Sequence, residues 1–304
     1  MKLHVLRYFL AVCNEGSMLK AAKALHLTQP TLSRQIAALE NELGCTLMER
    51  GGRRVELTEQ GIYLKRKASE ILELVEQTES DLRSQSGPLE GQLRIAAGES
   101  WAIGSLARVM REFREKNPLV TISIHSGNNE DIALRLEHGL ADFAVFFSHG
   151  GIDEYSHVQF SLTDAFGILM PKGHLLSRKK AIRPCDLAGT PLLVSEEELV
   201  SRSFAKWLKD TSKKPEIIGT YSLAYNASML VKEGLGCAVV FSKLVPSEAN
   251  SEFDFRPLDP PLTNKIDLAW KKDQPLAPVS RAFLSMLQNS SVIEPPPRTQ
   301  RKHS

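Results

Sequence analysis

The 304 residues carry 38 Lys and Arg against 36 Asp and Glu, a formal net charge of +2, and 42% of them are hydrophobic. That length allows two or three compact units, each with its own core. The cysteines Cys13, Cys45, Cys185 and Cys237 are scattered, with no CxxC or Cys/His ligand spacing, which speaks against zinc and for a reducing compartment.

Charge is unevenly spread. Residues 1–67 hold 11 Lys and Arg against 6 Asp and Glu, whereas residues 68–88 hold 1 against 5. Positive charge therefore sits at the amino-terminal end, where it suits a nucleic-acid contact. Leu3, Leu6, Phe9, Leu10 and Cys13 follow helical spacing and are interrupted by His4, Arg7 and Asn14, a helix rather than a secretory signal. No segment reaches the roughly 20 apolar residues of a membrane span, so the expectation is a cytoplasmic protein with no membrane partner.

Ser17 to Leu57 predicts two short helices, a tight connection and two short strands around a Gly-Gly turn. Ser17 caps the first helix, whose Ala21, Ala22 and Leu25 form an apolar stripe with room for a close helix crossing. Thr28 caps the second, with Pro30 in the first turn, where a missing amide costs nothing. Leu32, Ile36, Leu39 and Leu43 fall on one arc and are expected to be buried. The opposite arc carries Pro30, Thr31, Arg34, Ala37 and Ala38, small or donor-bearing groups on a slim rod that fits the major groove. Arg50, Arg53 and Arg54 surround the turn and suit backbone phosphates. Singly, such pieces are usually core packing or a solvated turn; together, within about forty residues, they are far more specific.

The run AAKALHLTQPTLSRQIAALENELGCTLMERGGRRVELTEQG resembles the winged helix-turn-helix of LysR-type transcriptional regulators nearly position by position. Matching positions include Ala21, Ala22, Leu25, Gln29, Ser33, Arg34, Gln35, Ile36, Leu39, Glu40, Leu43, Gly44, Leu47, Arg50, Thr58 and Gly61. Met48 stands where that family usually has Phe, and Cys45 where it has a small aliphatic residue. The expected DNA-binding set is Ser17, Thr28, Gln29, Pro30, Thr31, Ser33, Arg34, Gln35, Arg50, Arg53 and Arg54, on double-stranded DNA.

Thr58 caps a long helix to about Ser86, in which Leu64, Ala68, Ile71, Val75, Thr78 and Leu82 alternate spacings of 4 and 3. At 1.5 Å per residue it would be about 40 Å long, and the seam reads as a dimerisation surface. The resemblance implies the same, with a homodimer or homotetramer as the assembly. Ser84 to Pro88 make a hinge. From Gln92 strands and helices alternate: LRIAAG, a helix with Ile103, Leu106, Met110 and Phe113, a half-buried strand at Val120, Ile122 and Ile124, a short helix at Ile132 and Leu136, then ADFAVFF. A second unit starts near Thr163. The resulting division is a winged helix-turn-helix over 1–58, a linker helix and hinge over 59–88, and a two-lobed α/β domain over 89–293. Lobe 1 takes about 89–162 and 265–293, and lobe 2 about 163–264. The resemblance implies an effector-binding fold like that of periplasmic binding proteins. The tail over 294–304 has too little apolar content to fold and is expected to be disordered.

Ligands in parallel α/β sheets sit at the carboxyl ends of strands, here Gly98 to Trp101, Ser126 to Asn129, Phe147 to His149, Ser195 to Glu197 and Tyr221 to Leu223. The effector set expected from this, with Ser100, Ser148 and Ser222 also carried by the resemblance, is Ser100, Trp101, Asn128, Ser148, Ser195, Tyr221 and Ser222. Ser100 and Asn128 serve equally well as plain helix caps. Glu99 and Glu197 at the mouth oppose a carboxylate effector and favour a neutral, zwitterionic or cationic one. His149 and His157 read as ordinary histidines. Peroxide-sensing members of the family carry paired cysteines at a stretch matching Ser195 to Trp207, which holds none. No GxSxG, P-loop, Rossmann glycine run or metal-ligand spacing is present, so no enzyme, cofactor or metal is expected. A solute-binding protein would have no use for the first 87 residues. The expected function is sequence-specific DNA binding with promoter activity altered by a small effector; the alternative is a constitutive DNA-binding regulator.

Replacing Arg53 and Arg54 with Ala should weaken binding to all DNA sequences and lower the slope of log affinity against log salt by roughly 1 to 2, measured by fluorescence anisotropy. An undiminished slope would take the wing out of the interface.

Overall fold

The computed structural model describes residues 1–49, 55–83, 88–147, 151–196, 202–209, 214–245 and 251–293. The chain divides into two compact units, Met1–Arg83 and Ser84–Ser304. In the first, α1 (Leu3–Glu15), α2 (Met18–Ala24) and α3 (Gln29–Leu43) precede an antiparallel wing of β1 (Met48–Glu49) and β2 (Glu56–Leu57), and α4 (Glu59–Arg83) follows. The caps are those expected: Ser17 Oγ accepts the Lys20 amide at 3.5 Å and Thr28 Oγ1 the Thr31 amide at 3.4 Å. Gly44 ends α3 at φ 67°, a left-handed position that a side chain would strain.

Leu6, Phe9, Ala21, Ala22, Leu32, Ile36 and Leu39 meet in one core. One expectation fails there. In α1 the residues Val5, Leu6, Phe9 and Val12 turn inward and Leu3 is exposed, on the helix the spacing predicts. Leu43, on the arc expected to be buried, is exposed, at 40%, while Glu40 beside it is buried. The reason is chemical. The chain turns out of α3 into the wing, and the amides of Leu47 and Met48 need an acceptor; Glu40 Oε1 takes both, at 2.8 and 3.2 Å. Thr58 closes the other side, its hydroxyl donating to Thr46 O at 2.7 Å and accepting the Gly61 amide at 3.0 Å. Gly61 is there because a Cβ would stand 2.0 Å from the Leu47 carbonyl oxygen.

The heptad seam of α4 is divided. Leu64 and Ala68 are buried in the core of their own unit, joined by Leu72, with Ile71 half-buried against it. Residues 59–72 of α4 thus complete the core of the first unit, because this half of the helix packs against α1. Thr78 and Leu82 are exposed, Leu82 at 63%.

The second unit holds β3 (Gly91–Ala97), α5 (Ile103–Lys116), β4 (Val120–Ser126), α6 (Asn129–Glu137), β5 (Phe143–Phe147) and the long β6 (Ser156–Pro171). Then come β7 (Pro191–Ser195), α7 (Ser203–Trp207), β8 (Glu216–Tyr221), α8 (Ala224–Lys232), β9 (Cys237–Phe241), β10 (Phe253–Pro257), β11 (Thr263–Trp270) and α9 (Pro278–Gln288). The strand order is β4-β3-β5-β11-β6-β9-β7-β8, with β10 on β6. Pairing is parallel within each βαβ portion, β3 with β4 and β5, and β7 with β8 and β9. It is antiparallel where β11 and β6 join them.

Residues 156–165 of β6 pair with β11, then 166–169 pair with β9 and 167–171 with β10. The lobe division expected at 162/163 therefore falls inside one unbroken strand. Ile124, expected half-buried, is 47% exposed, since of β4 Val120 is buried in the core and Ile122 packs half-buried against it while the strand's far end does not. Leu93, Leu106, Phe113, Phe143 and Phe283 fill lobe 1, and Ile168, Leu187, Leu192 and Val239 fill lobe 2. No helix among the described residues is long and apolar enough to cross a membrane. The expected tail over 294–304 lies outside the described residues.

Glu40→Ala strips two wing amides of their acceptor and should cost about 1–3 kcal/mol in urea unfolding of the full chain. Full stability in that variant would mean the wing does not depend on this carboxylate.

Candidate functional site

The first candidate is the solvent face of α3. Gln29, Pro30, Ser33, Arg34 and Ala38 are exposed along it, and Thr31, Gln35 and Ala37 are half-buried. The face is small and flat apart from Arg34, whose Nε–H donates to Pro30 O at 3.3 Å and lays the guanidinium along the helix. Thr28 and Thr31 share a hydroxyl contact of 2.8 Å at the helix start. Ser17, capping α2, is half-buried. Arg50, Arg53 and Arg54 lie outside the described residues.

The second candidate is the cleft between the two lobes of the second unit. Strand ends from both lobes converge there, as the topology demands. A cavity of about 60 Å³ is lined by Glu99, Asn128, Ser195, Tyr221, Ser222 and Phe241, among others. An adjoining one of about 450 Å³ is lined by Ser100, Ile103, Ile124, Tyr225, Met229 and Phe253 and is mostly apolar. Of the expected effector residues, Asn128, Ser195, Tyr221 and Ser222 thus share the smaller cavity and Ser100 borders the larger. Trp101 borders neither; the Lys243 ammonium sits over its ring, 3.9 Å from the centroid. Ser148, Glu197 and His149 lie outside the described residues.

Several of these groups have structural work already. Ser100 is buried and its hydroxyl accepts the Ala102 amide at 2.9 Å, ahead of α5. Asn128 Oδ1 caps α6 through the Asp131 amide at 2.8 Å. Tyr221 donates its hydroxyl to Val239 O at 2.5 Å. His157 makes a local contact with Tyr155 O at 3.4 Å.

Sequence reasoning missed Asp164, Lys243 and Asn264. Asp164 stands on β6 opposite Asn264 of β11, where the strand is about to change partners, and it is fully buried. Neither of its oxygens has a hydrogen-bond partner within normal geometry among the described residues. A lone carboxylate directly ahead of the apolar run AFGILM was the available signal. The thiols of Cys13 and Cys237 are pushed up by burial to about 11, so both stay protonated near neutrality. No cluster of three metal-ligating side chains occurs among the described residues.

Residues 3–62 match the family model of the bacterial regulatory helix-turn-helix protein, lysR family, and residues 86–291 match the LysR substrate binding domain. The HTH-type transcriptional regulator AlsR of Bacillus subtilis is 29% identical over 90% of this chain and 91% of that protein. A probable RuBisCO transcriptional regulator of Cyanophora paradoxa is 36% identical over 61% of this chain, and the match spans only 58% of that protein. Among solved structures, CbnR, a LysR family transcriptional regulator, superposes with a TM-score of 0.74 at 22% identity, covering 96% of this chain and 99% of that one. That likeness is one of fold.

Asp164 gives the cleft a pH signature. Burial raises its carboxyl from 3.8 to about 6, and the Ser100 hydroxyl and Lys243 ammonium offset the shift only in part. The folded state therefore holds a proton that the unfolded chain has released between those two values. Stability should fall as pH rises from 4 to 6, by at most about 3 kcal/mol, and stay low above. Asp164→Asn should remove that decline and stabilise the protein at pH 7.5, by urea unfolding at both pH values. An unchanged profile would mean the carboxyl is already ionised and paired.

Proposed function

The chain belongs to the LysR family of DNA-binding transcriptional regulators, and from that premise we propose how its residues divide the work. The exposed, doubly capped face of α3 carries the reading. Arg34 reaches a base edge in the major groove; Gln29, Pro30, Thr31, Ser33 and Gln35 set the close approach; Ser17, Thr28 and the wing arginines Arg50, Arg53 and Arg54 hold phosphates. The far half of α4, with Leu74 exposed at 43% and Leu82 beyond it, pairs two copies, so that two such faces meet one operator. The assembly acts in the cytoplasm as a homodimer or homotetramer.

The cleft of the second unit receives a small effector against Asn128, Ser195, Tyr221 and Ser222, with Ser100 beside the larger cavity. Trp101, by its place after a strand, and Ser148, by the family resemblance, complete the candidate set. An effector that prefers one lobe arrangement shifts the population toward it, and promoter activity follows. A thermal-shift screen of metabolites on the full chain tests this, because a ligand of the folded state raises the melting point by mass action. A library that leaves the protein unmoved would favour a regulator without effector.

Arg34→Ala should lose about 1–3 kcal/mol of operator binding and with it the preference over unrelated DNA, while fold and assembly persist. A folded variant with unchanged operator affinity in anisotropy titrations would remove Arg34 from the interface.

A further inference from the structure

The helix α8 opens without a cap of its own. Its N-cap residue is Leu223, which makes no side-chain hydrogen bond there, and its first turn holds no acidic residue. The Ala224 amide is instead met by a residue 125 positions away: it donates to Glu99 Oε2 at 2.5 Å. Glu99 lies in the turn between β3 and α5 of lobe 1, whereas α8 belongs to lobe 2. The contact thus spans the cleft. A carboxylate on the first amides of a helix is what an anionic ligand would offer that same place.

Two further observations make this more than a chance contact. Gly98 is wedged against Phe147, so closely that a Cβ would stand 2.4 Å from the ring, and this fixes the turn that projects Glu99. Glu99 and Ala224 also line both cavities, so their bond lies, with Gly98 and Leu244, on the boundary between the smaller cavity and the larger apolar one. The other charges nearby are Lys243 over Trp101, the buried Asp164 and the exposed Glu196.

We infer that Glu99 is a tethered ligand: it fills the anion place at the start of α8, latches the two lobes without effector, and bars simple carboxylates from that place. This rests on the cleft being the effector site. It also gives the site a rule of selection, because an anionic effector has to displace Glu99, whereas a neutral or cationic one binds beside it.

Chemical rescue tests the latch. Full-length wild type, Glu99→Ala and Glu99→Asp are titrated with sodium acetate and, at equal ionic strength, sodium chloride, following melting point and tryptophan emission. Glu99→Ala is expected to melt below wild type and to regain most of the loss in acetate but not chloride, binding acetate about tenfold more tightly than wild type or better. Glu99→Asp keeps the charge but falls one methylene short of Ala224, so it should fold and respond to acetate in the same sense. Wild type should not distinguish the two salts. Equal acetate and chloride responses in all three proteins would overturn the latch, and so would a wild type that takes up acetate as well as the variants do. If Glu99→Ala does not fold, the Glu99→Asp comparison decides alone. Acetate makes no use of the natural effector, so failure here removes the latch only; the effector reading falls separately, on the metabolite screen.

Discussion

Everything in the second unit depends on β6 keeping its hydrogen bonds while changing its neighbours. Over its sixteen residues it serves β11 first and then β9 and β10, so one strand belongs to two cores. An extended chain with its amides and carbonyls paired is stiff along its length but can twist where partners change. Each lobe can therefore be built as an ordinary parallel βαβ layer. The first of the two chain crossings between them, β6, carries no loop, while the return from β10 to β11 runs through residues 258–262. The carboxyl ends of the parallel strands, with the helix starts that follow them, are thereby turned toward each other. That is why residues as distant as Glu99 and Ala224 share a bond.

The first unit solves a related problem with fewer parts. Three short helices cannot bury much surface, and the first half of α4 supplies the missing apolar wall through Leu64, Ala68 and Leu72. With α3 held on its inner side, its outer side is free to stay small and donor-bearing. The electrostatics agree, since the excess of Lys and Arg lies in this part of the chain. Phosphate attraction would position the unit, and the few side chains on α3 would discriminate among sequences.

The elements legible in the sequence were those governed by local rules. Ser17, Thr28 and Pro30 mark helix starts through hydrogen bonds or backbone angles that reach only a few residues, and all three stand where those rules put them. The strands LRIAAG, FAVFF and CAVVF announce themselves by apolar runs too short for helices. What escaped was set by partners far away in the chain. Glu40 looks like a solvated helix residue until the Leu47 and Met48 amides arrive, and the α4 seam looks like a coiled coil until α1 covers its first half. In the cleft, Asn128, Ser195, Tyr221 and Ser222 do come together, but Ser100 and Asn128 spend their side chains on helix starts, and Asp164 was hidden among the other polar residues in the first half of β6. The change of partners within β6 is set by β9, β10 and β11 and not by a local rule: its first half mixes exposed and buried residues and its second half is an almost unbroken buried run.

The contact at Gly61 has a mechanical meaning. With no Cβ, the start of α4 rests directly on the carbonyl of Leu47, and the Thr58 hydroxyl bolts the same corner to Thr46. Backbone against backbone leaves no compressible side chain to absorb a displacement. The wing and the first turn of α4 are then one lever: a torque applied to the helix would swing the strands of the wing through the same angle, with no slack at the joint.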